Sequence, residues 1–157
     1  MTTVRRSTPE ALYRWTSCTP NPAAEARAVL RRALGRLGLP GGAVSDGVLA
    51  ASELVANATE HAEGPYELRL RVTAADIICE VLDHDRKVPD LSDFEARGPL
   101  GHSRTEPEGD LDVVFALLSE RGRGLQIVHE LTAGVWGFRV VDDRSKVAWL
   151  ALSLTRG

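Results

Sequence analysis

At Gly64-Pro65 the hydrophobic spacing of this chain changes period, and that change limits the fold more than any other feature. Before it, apolar residues recur at three-and-four intervals: Ala26, Val29, Leu30, Ala33, Leu34 and Leu37, then Val48, Leu49, Leu54, Val55 and Ala58. After it, Tyr66–Val72 alternates, with Leu68, Leu70 and Val72 on one side. A helix repeats every 3.6 residues and a strand every two, so two amphipathic helices lead into a sheet. The first is expected from Pro22 to the stop at Gly38 and Pro40, the second from a Ser45-Asp46 cap to about Ala62. Ile77–Leu82 should complete a hairpin with Tyr66–Val72, and Val135–Val141 with Val147–Leu154 a second one, joined by the polar turn at 142–145. Helices set apart from antiparallel hairpins predict an α+β fold, a two-layer sandwich.

A chain of 157 residues suits one domain. Residues 1–20 show no periodicity and are expected to form an N-terminal arm ahead of a domain at 21–157. Residues 84–121 hold Pro89, Gly98, Pro99, Gly101, Pro107 and Gly109 and predict a long loop, with one short helix near 113–119. Gly122-Arg-Gly-Leu125 then opens a third helix.

Net charge is −3, which excludes the overall basic field of a general nucleic-acid binder, and no basic recognition helix beyond the first helix and no zinc motif supports direct DNA contact. Charge is nonetheless uneven: +5 over 1–40, −5 over 41–82, −5 over 83–121 and +2 over 122–157. Arg27, Arg31, Arg32 and Arg36 share one face of the first helix, read as a solvated face. Cys18 and Cys79 stand far apart and form no CxxC pair, so neither a disulfide framework nor a cysteine zinc site is expected, and a reducing cytoplasm fits. Arg5-Arg6 precedes no apolar segment, and no stretch reaches the ~18 apolar residues of a membrane span. Of 19 basic residues only Lys87 and Lys146 are lysine, a bias that reads as genome composition.

Three clusters carry chemistry. On a helix, Glu53, Asn57 and His61 fall at i, i+4 and i+8 and line one side. Asn57 offers a neutral oxygen suited to Mg²⁺, and Glu53, one turn earlier, can orient or deprotonate a nucleophile. The same stripe also reads as a solvated helix face. Gly122, Arg123, Gly124 and Leu125 stand at a loop-to-helix junction, where glycines and the positive helix end favour a phosphate, or where a helix merely starts. No GxGxxG or GxxxxGK[ST] is present. Asp83 ends an apolar strand, where a carboxylate can accept from an exocyclic amine such as adenine's or cap a turn. His84 and His102, separated by a flexible loop, do not make a metal spacing with Asp83 or Asp85.

In order, these parts resemble the gyrase, histidine-kinase and chaperone (GHKL) ATPase superfamily, and within it the anti-sigma regulatory factor and serine-kinase branch common in actinobacteria. Ser52-Glu-Leu-Val-Ala-Asn-Ala-Thr-Glu-His-Ala62 matches that branch's SELVxNAxxHA motif at every fixed place, and the likeness runs from Thr16 to Leu154. The resemblance implies a Bergerat-type ATP-binding fold, a mostly antiparallel sheet covered by helices on one face, with 84–121 as an ATP lid. It implies ATP and Mg²⁺ as cofactors, with Asn57 as the metal ligand, Glu53 as the catalytic carboxylate and Asp83 on the adenine amine. His61 and Gly122 to Leu125, with Arg123 and Gly124, complete the nucleotide site. The implied partners are a sigma factor and an anti-anti-sigma (STAS-type) protein phosphorylated on serine or threonine, with homodimers frequent in the branch.

The expected function is an ATP-binding anti-sigma regulator with serine/threonine kinase activity, cytoplasmic and without membrane or direct nucleic-acid contact. The adenine box of the superfamily runs Asp-x-Gly, and Asp85 holds the glycine place here. With the acidic lid, this favours a second reading: a catalytically silent interaction module of the same fold.

Overall fold

The computed structural model describes residues 9–88 and 123–154. The elements run β1 (Glu10–Trp15), α1 (Pro22–Arg36), α2 (Gly41–His61), β2 (Tyr66–Val72), β3 (Asp76–Asp83), α3 (Arg123–Leu131), β4 (Trp136–Val140) and β5 (Lys146–Ser153). The five strands form one antiparallel sheet in the order β1-β2-β3-β5-β4. The α+β expectation is met. The lid beyond residue 88, the short helix near 113–119 and Gly122 lie outside the described residues.

The sheet buries one side of its pleat against the helices. On β2 the inward set is Tyr66, Leu68 and Leu70, and on β3 Ile77, Cys79 and Val81. The helices answer with Ala26, Leu30 and Leu34 from α1, a column of nine buried residues from α2, and Leu125 and Val128 from α3. Helix α2 is the centre, touching α1, α3 and strands β2, β3 and β5. Its small residues permit this. A β-carbon at Gly47 would lie 2.6 Å from Leu152 Cδ1 and 3.3 Å from Leu34 Cδ1. The four arginines of α1 are exposed, as a solvated face requires.

Two boundaries correct the sequence reading. Residues 10–15, expected within a loose arm, form edge strand β1 paired with β2. A register shift between Ala11 and Tyr13 interrupts the alternation that would have marked it. Trp15 fixes the strand to the helical layer: it is 2% exposed, stacks between Tyr13 and Tyr66, and donates its indole N–H to Thr59 Oγ1 at 2.9 Å. Helix α2 begins at Gly41, four residues before the expected cap. Each glycine costs a helix up to ~1 kcal/mol, yet Val44 is buried and its N–H reaches Pro40 O at 3.0 Å. Burying Val44 outweighs the propensity of the turn before it.

Outside the helical layer, Glu80 is buried on β3, its Oε2 accepting from Arg71 at 3.0 Å and from Arg139 at 3.2 Å.

Candidate functional site

The register of β3 against β5 builds the floor of the site. Ile77 pairs with Leu152, Cys79 with Leu150 and Val81 with Ala148, and the next inward rung is Asp83 opposite Lys146. An apolar ladder thus ends in a charged pair. Lys146 donates to Asp83 Oδ1 at 3.0 Å and to the carbonyl oxygen of Asp85 at 2.8 Å. The Asp85 amide donates to the same Oδ1 at 2.9 Å. Both side chains are nearly inaccessible, 2% for Asp83 and 5% for Lys146. Burial pushes the Asp83 carboxyl above its ordinary value, against the opposite pull of the Lys146 ammonium and the Asp85 amide.

The polar stripe of α2 lies over this rung. Asn57 and His61, one turn apart, share a cavity of about 30 Å³ with Asp83, Lys87, Lys146 and Phe138, closed on the helix side by Leu54, Ala58 and Ala62. His61 is exposed and comes 3.7 Å from Glu60. The third member of the stripe, Glu53, sits one turn before Asn57 and meets a different element: a β-carbon on Gly124, in the first turn of α3, would stand 2.8 Å from Glu53 Oε2. With glycine at 124 the start of α3 comes this close to the carboxylate without displacing it. The positive end of the helix dipole then lies beside a negative group.

The structure therefore brings Asn57, His61 and Asp83 to one cavity, and Glu53 to Gly124 beside it. Leu125 is 4% exposed and its side chain belongs to the core, so what it can offer a ligand is its backbone. Arg123 opens α3, and Gly122 lies outside the described residues. Ser52 of the motif is buried and bonds Leu49 O at 2.8 Å, closing its own turn of helix. Asp85, at the glycine place, accepts from the Lys87 amide at 3.0 Å.

Sequence reasoning missed Lys146 and Lys87. Both of the chain's lysines line this cavity, and their rarity among 19 basic residues was the available signal.

The donor set suits a metal-bound nucleotide. It offers an amide oxygen for a hard cation, a carboxylate for a base amine, and a glycine-lined helix start beside a second carboxylate. A volume of 30 Å³ takes about two waters.

None of the curated proteins matches the sequence. Among solved structures, the chain is similar to one from the SiaB-SiaC complex of Pseudomonas aeruginosa, at 10% identity and a TM-score of 0.57, with 91% of this chain and 90% of that chain covered. At that identity the likeness speaks for the fold. A family model described as the histidine kinase-like ATPase domain matches residues 16–150, which span every element from α1 to β4 and most of β5. The chain belongs to the histidine kinase-like ATPase domain family.

Proposed function

We propose that this protein is an ATP-binding regulator of the anti-sigma type with serine/threonine kinase activity toward an anti-anti-sigma (STAS-type) protein. The observation that carries the reading is the convergence of Asn57, His61 and Asp83 on one cavity, with Glu53 one helical turn away against Gly124. Family membership supports the ATP part. The partner part draws on the SELVxNAxxHA motif at 52–62 and on the similar fold having been solved as a complex of two proteins.

Bound Mg-ATP supplies an electrophilic phosphoryl group. Asn57 presents its side-chain oxygen to Mg²⁺. Asp83 takes the amine of the base. The N-terminal amides of α3, from Gly124 onward, stabilise negative charge on the phosphates. Glu53 accepts the proton of the attacking serine or threonine hydroxyl, or orients that hydroxyl. A sigma factor is the partner held when the anti-anti-sigma protein is absent, and a second copy of the chain is a further candidate partner. The protein acts in the cytoplasm without direct contact to nucleic acid; among the described residues no helix is long and apolar enough to cross a membrane.

A second reading has its own observation. Because Asp85 holds the glycine place of the adenine box and carries a carboxylate there, bonded to the Lys87 amide, a silent module that keeps the fold for protein binding is the alternative. Thermal unfolding with and without Mg-ATP, in wild type and Asn57→Ala, separates the two. A ligand at 100 times its Kd adds about 2.7 kcal/mol, or several degrees at this size. The kinase reading expects that shift in wild type, its loss in Asn57→Ala, and phosphate incorporation into an anti-anti-sigma protein. No shift in wild type favours the silent module.

A further inference from the structure

We propose that Lys146 reads the base directly: its ammonium donates to the ring nitrogen beside the amino group of adenine, N1, while Asp83 Oδ2 takes the amine. This rests on the ATP-binding reading above and goes past it, adding to the acidic reader a basic one that the SELVxNAxxHA motif and the Gly-rich turn do not contain.

The argument starts from hydrogen-bond supply. An ammonium carries three donors. Among the described residues Lys146 has two hydrogen-bond partners, Asp83 Oδ1 and the Asp85 carbonyl, so one N–H is left on a group that is 5% exposed and lines the cavity. On Asp83 both donors, Lys146 and the Asp85 amide, fall on Oδ1. That leaves Oδ2 as an acceptor beside a donor, on one cavity wall. Adenine shows the complement on two edges, its N–H₂ lying beside N7 on one and beside N1 on the other; N1 is bonded to the carbon that carries the amine and is the nearer acceptor, so it is the one assigned to Lys146.

Position and residue type favour this over a plain structural ion pair. Lys146 is the last inward residue of the β3–β5 ladder, at the point where the sheet stops being apolar and the cavity begins. Its charge is fixed from two sides, which removes the freedom a lysine normally loses when it binds. A compact ammonium also leaves room that a planar guanidinium would fill, and only two of 19 basic residues here are lysine.

The test compares Mg-ATP with its 1-deaza analogue, in which N1 is replaced by C–H, binding to the full chain by titration calorimetry. A hydrogen bond from a charged donor is lost with the analogue, so wild type should bind it about tenfold to a hundredfold more weakly. In Lys146→Met the two nucleotides should bind alike. Equal binding of both in wild type, or a preference for ATP that persists in K146M, overturns the proposal and leaves the ATP-binding reading standing. No binding of ATP by wild type overturns both. Should K146M fail to fold, nitrogen-15 NMR of wild type saturated with ATP labelled at N1 decides: a hydrogen-bonded N1 moves upfield, and an N1 signal at its free-nucleotide position overturns the proposal.

Discussion

Gly124 and Glu53 are joined by a missing atom: the β-carbon that position 124 lacks would stand 2.8 Å from Glu53 Oε2. The obstacle is the far end of a flexible side chain, and alanine favours a helix over glycine by up to ~1 kcal/mol. Gly124→Ala should therefore leave stability unchanged or slightly raised while moving the carboxylate. Thermal unfolding of the variant should match wild type within ~1 kcal/mol, and phosphate transfer to the partner should fall at least tenfold. A variant as active as wild type would remove Glu53 from the chemistry.

At Gly47 the obstacles are two packed leucines, half-buried Leu152 and fully buried Leu34. The added methyl group would press on Leu152 and Leu34, both held between α1, α2 and β5. Overpacking costs about 1–3 kcal/mol and the helix gains less than that. Gly47→Ala should lower the unfolding midpoint in urea without changing the denaturant slope.

Burial pushes the Cys79 thiol up to about 12, from an ordinary value of 9.0. In the unfolded chain it ionises near its ordinary value, so from there to about pH 12 the unfolded state sheds a proton that the folded state keeps. The contribution is intact below pH ~9 and declines above it by about 1.4 kcal/mol per pH unit. Unfolding free energy measured from pH 8 to 10.5 should fall less steeply in Cys79→Val. Alkylation at pH 8.5 should mark exposed Cys18 and spare Cys79.

The Glu80 cluster should respond asymmetrically. Glu80 is fully buried, whereas the Arg71 and Arg139 side chains that reach it are 29% and 48% exposed. Glu80→Leu lets both arginines turn to water and removes a buried oxygen, Oε1, that has no hydrogen-bond partner. Its cost should stay within about 1 kcal/mol. Replacing both arginines with leucine strands the carboxylate and should cost about 3–5 kcal/mol. Equal effects in chemical denaturation would contradict this account.

The sequence showed its helical periods well and its cross-strand relations poorly. The stripe Glu53, Asn57 and His61 was legible because four-residue spacing on a helix is a local property. The hairpin pairings of β2 with β3 and β4 with β5 were legible for the same reason, since short turns join them. Strand β1 escaped because its register shift breaks the alternation that identifies a strand. Lys146 escaped because its meaning comes from facing Asp83 across two non-consecutive strands, and no periodicity reports that. The same limit hid the division of the stripe, in which Glu53 faces α3 while Asn57 and His61 face the cavity.

Strand β5 is the last described element, yet in the sheet it lies between β3 and β4. During synthesis, β3 emerges with one edge open and waits for a neighbour more than sixty residues away: Lys146 follows Asp83 by 63 positions. Until that strand arrives, Asp83 lacks its Lys146 partner, and the free edge of β3 is an exposed template. Completion of the sheet and charging of the site are one event, the insertion of β5. A partly made chain thus lacks the Asp83–Lys146 rung, and the cavity beside α2 gains its floor only with the closed fold.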